Sequence, residues 1–97
     1  MTFSEFRAST QGAEPPSGLP PELLALWHDA HGDWDRAHEV AQDIEGREGA
    51  WIHAYLHRKE GDISNAGYWY RRAGQSAATG SLEAEWIDIV TAMLAAR

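Results

Sequence analysis

Apolar residues recur along this chain at steps of three and four, the spacing that lays one face along an α-helix. Leu19, Leu23, Leu26, Trp27 and Ala30 make the first such face. Gly32 stops it, and Asp33 stands where an N-cap belongs. Trp34, Ala37, Ala41 and Ile44 follow, with Gly46 as the expected stop. A third pattern runs from Glu48 to Glu60. Its centre, Ala50 to His57, is apolar nearly all round, as in a helix contacted on several sides. Gly61 and Asp62 repeat the stop and the cap, and Ile63, Ala66, Tyr70 and Ala73 repeat the face. After a small-residue loop, Ser81 is placed to cap a last helix carrying Leu82, Trp86, Ile89, Val90 and Met93. The prediction is all-α: hairpins over 20–45 and 48–73, and a helix over 81–96 that caps the stack, together one domain over 19–97. Residues 1–18 are rich in turn formers, with Pro15 and Pro16 excluding helix interior, and read as a flexible lead-in. The alternative is a single turn through Phe3 and Phe6, at i and i+3, that docks on the domain.

The second and fourth helical patterns match at an offset of 29 residues, which also pairs Ala25 with Ala54, His28 with His57, Gly32 with Gly61 and Asp33 with Asp62. Repeats of this period mean stacked units, none of which buries its apolar face alone. Gly61-Asp62-Ile63-Ser64-Asn65-Ala66, followed by Tyr70 and Ala73, resembles the tetratricopeptide signature, and Gly32-Asp33-Trp34-Asp35-Arg36-Ala37 resembles the same segment. Over residues 20–74 the resemblance implies helix–turn–helix units that serve as interaction modules. The chain departs from the family in its shorter offset, against a repeat of about 34 residues, in lacking the closing proline, and in placing His28 and His57 where an aromatic usually stands. Residues 51–73 are also similar to a group of small uncharacterised microbial proteins, a resemblance that implies no activity.

Composition narrows the partners. The 97 residues carry 8 Lys plus Arg against 15 Asp plus Glu, a net charge of −7, which repels phosphate backbones and anionic membranes. No apolar run approaches the roughly 20 residues of a membrane span, and the first residues lack the basic start and apolar stretch of a signal peptide. A cytoplasmic location is expected. There is no Cys, so neither a disulfide nor a thiolate site can hold the fold together, and stability rests on five Trp, three Tyr and two Phe among many Leu, Ile and Ala.

Candidate chemistry is sparse. His53 and His57, at i and i+4, have the spacing of a two-histidine metal site, with His28, His38, Glu48 or Glu60 as possible further ligands. Because His57 has a repeat partner in His28, a shared structural role is the favoured reading, with no metal and no cofactor. Asp33 and Asp62 read as caps rather than catalytic carboxylates. Arg58 and Arg72 fall in last turns, where positive charge offsets the helix dipole. Tyr70 belongs to the core by the repeat, so Tyr68 and Trp69 point elsewhere, exposed or covered by Trp86 and its helix. No phosphate loop or nucleophile elbow is present, which leans against an enzyme.

The expected function is a protein- or peptide-binding helical-repeat module, with Tyr68, Trp69, Arg58 and Arg72 as contact residues. The partner is a protein, a peptide or a second copy of the chain in a homodimer, and neither nucleic acid nor membrane. The alternative is a small enzyme or metal-binding protein that uses His53, His57 and His28 with nearby carboxylates.

Overall fold

A computed structural model describes residues 1–96. The described residues form six α-helices and no strands: α1 (Phe3–Ser9), α2 (Pro21–Ala30), α3 (Trp34–Gln42), α4 (Gly46–Lys59), α5 (Ile63–Ala73) and α6 (Leu82–Ala95). None is long and apolar enough to cross a membrane.

Two turns of the same construction link α2 to α3 and α4 to α5. Gly32 and Gly61 take φ of +86° and +89°, a region open to glycine at little cost. That lets Asp33 N–H reach the His28 carbonyl and Asp62 N–H reach the His57 carbonyl, both at 2.9 Å. Each aspartate then caps the following helix, Asp33 accepting from Arg36 N–H at 3.1 Å and Asp62 from Asn65 N–H at 3.3 Å. One of the free N–H groups at each helix start is thereby engaged. Ser81 caps α6 by accepting from Ala84 N–H at 3.0 Å.

α2 packs on α3, α4 on α5, and α3 on α4. Gly46 does not end the second helical pattern as expected. α3 stops at Gln42, and Gly46 opens α4. The connection is tight because Gly49 sits under it: a Cβ there would lie 2.1 Å from the Ile44 carbonyl oxygen.

α6 does not stack on the end of α5. It packs on α2, α4 and α1, burying Trp86, Ile89, Val90 and Met93 among Leu23, Leu26, Trp27, Ile52 and Leu56. The consequence shows at the repeat position of Trp34 and Ile63. Trp34 reaches α4 and donates its indole N–H to the Leu56 carbonyl at 2.8 Å. Ile63 has no following helix to reach and is 65% exposed, against the expectation that it faces the core.

The expected flexible lead-in carries a docked helix. Thr2 and Glu5 form a reciprocal cap at the start of α1. Phe6 is fully buried, its ring stacked at 6.0 Å on Trp86. The following residues are fastened too: Trp27 donates to the Ser9 carbonyl at 3.1 Å, and His31 to the Gly12 carbonyl at 2.8 Å.

Two buried carboxylates join the helices. Asp29 of α2 accepts from the Tyr55 hydroxyl at 2.7 Å and from Lys59 at 2.9 Å. Glu85 of α6 accepts from the Tyr70 hydroxyl at 2.6 Å, Arg58 at 2.9 Å and the Trp51 indole at 3.3 Å. Burial and these carboxylates hold both phenols protonated well above the usual tyrosine range.

Candidate functional site

The outer face of α3, α4 and α5 gathers most of the residues singled out in the sequence. α5 presents Tyr68, Trp69 and Arg72 from its outward side, because Ala66, Tyr70 and Ala73 take its inward side. Trp86 does not cover them, being occupied with Phe6 and with the Leu26 carbonyl, to which it donates at 3.1 Å. Tyr68 is exposed. Arg72 lies over the rings of Tyr68 and Trp69, 5.7 and 5.2 Å from their centroids, and donates to the Tyr68 hydroxyl at 2.9 Å. Such stacking holds a guanidinium in place while leaving its remaining N–H groups free.

A cleft of about 500 Å³ opens beside this ledge, lined by Trp69, Arg72, His53, Arg47, Glu45 and Gln42 among others. Arg7, Arg36, Arg58 and Lys59 each meet a carboxylate. Arg47, Arg71 and Arg72 meet none among the described residues, and two of these three line the cleft. A cleft of about 550 Å³ between α2 and α3 is different in character, with Leu19, Leu24, Val40 and Ile44 as walls and Glu22, Asp43 and Glu45 at its rim.

Trp69 differs from the other four tryptophans. Trp27, Trp34, Trp51 and Trp86 each donate the indole N–H to a protein oxygen. The Trp69 N–H has no acceptor among the described residues. Its ring is fixed by stacking on His53, with centroids 4.0 Å apart and planes 7° from parallel.

Arg58 is not part of this surface. It is drawn to the α6 side, where it pairs with Glu85 and donates to the Gly80 carbonyl. His28 is likewise elsewhere, half-buried on α2 edge-on to Trp27. The backbone turn at His28 repeats at His57, but the side chains do not share surroundings.

His57 instead joins His53 and His38. One ring nitrogen from each of the three lies within 4.8 Å of the other two. The Nε2 atoms of His38 and His53 are 2.9 Å apart, and His57 donates from Nδ1 to Glu60 at 2.7 Å. His53 and His57 project in parallel from α4, rings 4.9 Å apart, as their i, i+4 spacing dictates. His38 comes from α3, stacked on Trp34 at 5.0 Å. Burial, reinforced by the His38 and His57 rings, pushes His53 down to about 4, and burial lowers His38 as well. His38 was legible only as one candidate among four. Its signal was its place four residues after Trp34, on the side of α3 that meets α4.

No protein-family model, no curated protein and no solved structure matches this chain.

Proposed function

We propose that the chain is a protein- or peptide-binding module of two tetratricopeptide-like hairpins, and that it binds through the cleft of α3, α4 and α5. The face of α2 and α4 is occupied by α6, and the outer cleft is one of the concave surfaces that remain open beside the apolar cleft between α2 and α3. The observation that carries the reading is Trp69: a half-buried indole, stacked on His53, whose N–H has no acceptor among the described residues where its four counterparts are bonded. Arg47 and Arg72 flank it, neither paired with a carboxylate among the described residues, although Glu45 lines the same cleft. Tryptophan and arginine are the residue types that most often anchor protein interfaces. In a chain of net charge −7, two guanidinium groups unpaired among the described residues, set against the one carboxylate of Glu45 in this cleft, favour a local anion. The ligand is thus a segment with an Asp, Glu or terminal carboxylate beside an aromatic or aliphatic residue.

Display of a random peptide library against the purified chain tests this. Acidic residues adjacent to apolar ones should be enriched, and Arg72→Ala should weaken the selected peptides. A hydrogen bond to a charged group contributes about 1.5–3 kcal/mol, so the loss should be roughly tenfold or more. Binders without an acidic residue, or binders indifferent to Arg72→Ala, would refute the reading. A second copy of the chain is one occupant of the same class, and light scattering separates it from an external partner: a mass of one chain at all concentrations leaves the partner external.

A further inference from the structure

We propose that His38, His53 and His57 form a binding site for one divalent zinc-type metal ion, with Glu60 supporting it from behind. This goes beyond the binding cleft and does not depend on it.

Three features carry the inference. The first is convergence: one nitrogen from each ring lies within 4.8 Å of the others, and the three rings come from two different helices. A tetrahedral ion with metal–nitrogen bonds of about 2.0–2.1 Å holds its ligand nitrogens about 3.3 Å apart. The 2.9 Å contact between His38 and His53 has to open by only a few tenths of an ångström.

The second is orientation. The Glu60 carboxylate accepts from His57 Nδ1, a tautomer in which an uncharged ring carries its lone pair on Nε2. Histidines that hold metals are commonly oriented in this way by a carboxylate on the far nitrogen. Trp34 and Trp69 stack on His38 and His53, so two rings are held in place by their neighbours.

The third is the want of other partners. Among the described residues, the only hydrogen bond that His38 or His53 makes through its side chain is the one between them, and nothing donates to the second nitrogen of His57. One hydrogen serves the contact between His38 and His53, and a nitrogen of His57 lies within 4.8 Å of both ligand nitrogens. An ion among them would satisfy all three, with that hydrogen moving to Nδ1 of the ring that now donates. Imidazole donors suit zinc, nickel and copper, and three of them leave a fourth position for water or an external ligand.

Titration of the untagged, chelator-treated chain with zinc chloride, followed by calorimetry, tests the site. One ion per chain should bind, and zinc should raise the melting temperature. His38→Asn should lower the affinity by a hundredfold or more. His38 is the half-buried member of the three, so circular dichroism should show this variant folded. Glu60→Gln should lower affinity by roughly ten- to a hundredfold, the usual effect of losing an orienting partner. His28→Asn, the repeat-equivalent change outside the cluster, should alter nothing. Cobalt chloride gives a second readout, with visible absorption bands of a low-symmetry site that His38→Asn abolishes. No stoichiometric binding by the folded wild type would overturn the proposal and leave a stacked aromatic column. Equal losses in His28→Asn and His38→Asn would overturn it too.

Discussion

At the scale of single residues, the same amino acid does different work according to what surrounds it. His53 faces His38, His57 and Trp69, and its folded-state value near 4 lies below the ordinary 6.5. The unfolded chain therefore takes up a proton on this ring before the folded chain does. This ring's contribution to stability is present above about 6.5 and is lost as pH falls toward about 4. The shift corresponds to roughly 3 kcal/mol at about 1.4 kcal/mol per unit. With a chelator present, His53→Gln should shrink the stability difference between neutral and mildly acidic buffer, as read by urea denaturation. An unchanged difference would show that other groups carry the acid sensitivity. Glu85 offers a second test. Truncating it to Ala strands Arg58 and the Tyr70 hydroxyl in the interior, and breaking a buried pair in this way costs about 3–5 kcal/mol. A loss under about 1 kcal/mol would show that water replaces the carboxylate. Neither environment was legible from the sequence. Repeat logic coupled His57 to His28, because it reads backbone register, and that register does recur at both turns. It is blind to the neighbours that α3 supplies, and these are what distinguish the two rings.

At the scale of elements, periodicity and punctuation located α2 to α6 well, since Gly-Asp pairs and Ser81 act locally on their own helices. Gly46 misled, because a glycine with positive φ can open a helix as well as close one. Two glycines test the account of the helices. Gly49 in α4 lies against the Ile44 carbonyl, so Gly49→Ala should destabilise by roughly 1–3 kcal/mol through overpacking. Gly67 in α5 has only the Arg71 guanidinium near a would-be Cβ, at 3.6 Å, so Gly67→Ala should stabilise by roughly 0.5–1 kcal/mol through the helix preference of alanine. Denaturation midpoints moving in the same direction for both variants would contradict this placement of α4 against its entry loop.

At the scale of the whole molecule, what the sequence left open was where elements go once formed. The apolar face of α6 was readable, but a face does not say which groove receives it. α6 lies across α2 and α4, α1 docks Phe6 on Trp86, and Ile63 is left facing outward. One concave surface left open is the cleft where Trp69, Arg47 and Arg72 meet. The candidate site was half legible: Trp69 and Arg72 line that cleft and Tyr68 stands beside them under Arg72, while Arg58 was lost to Glu85, a buried partner 27 positions away. The most direct test is a nitrogen-15 correlation spectrum of the five indole N–H groups, recorded as a display-selected acidic–aromatic peptide is added. The Trp69 signal should shift as its free N–H gains a partner, while those of Trp27, Trp34, Trp51 and Trp86 hold their positions. A stationary Trp69 signal at saturating peptide, or the largest shift at Trp27 or Trp86, would contradict the proposed site.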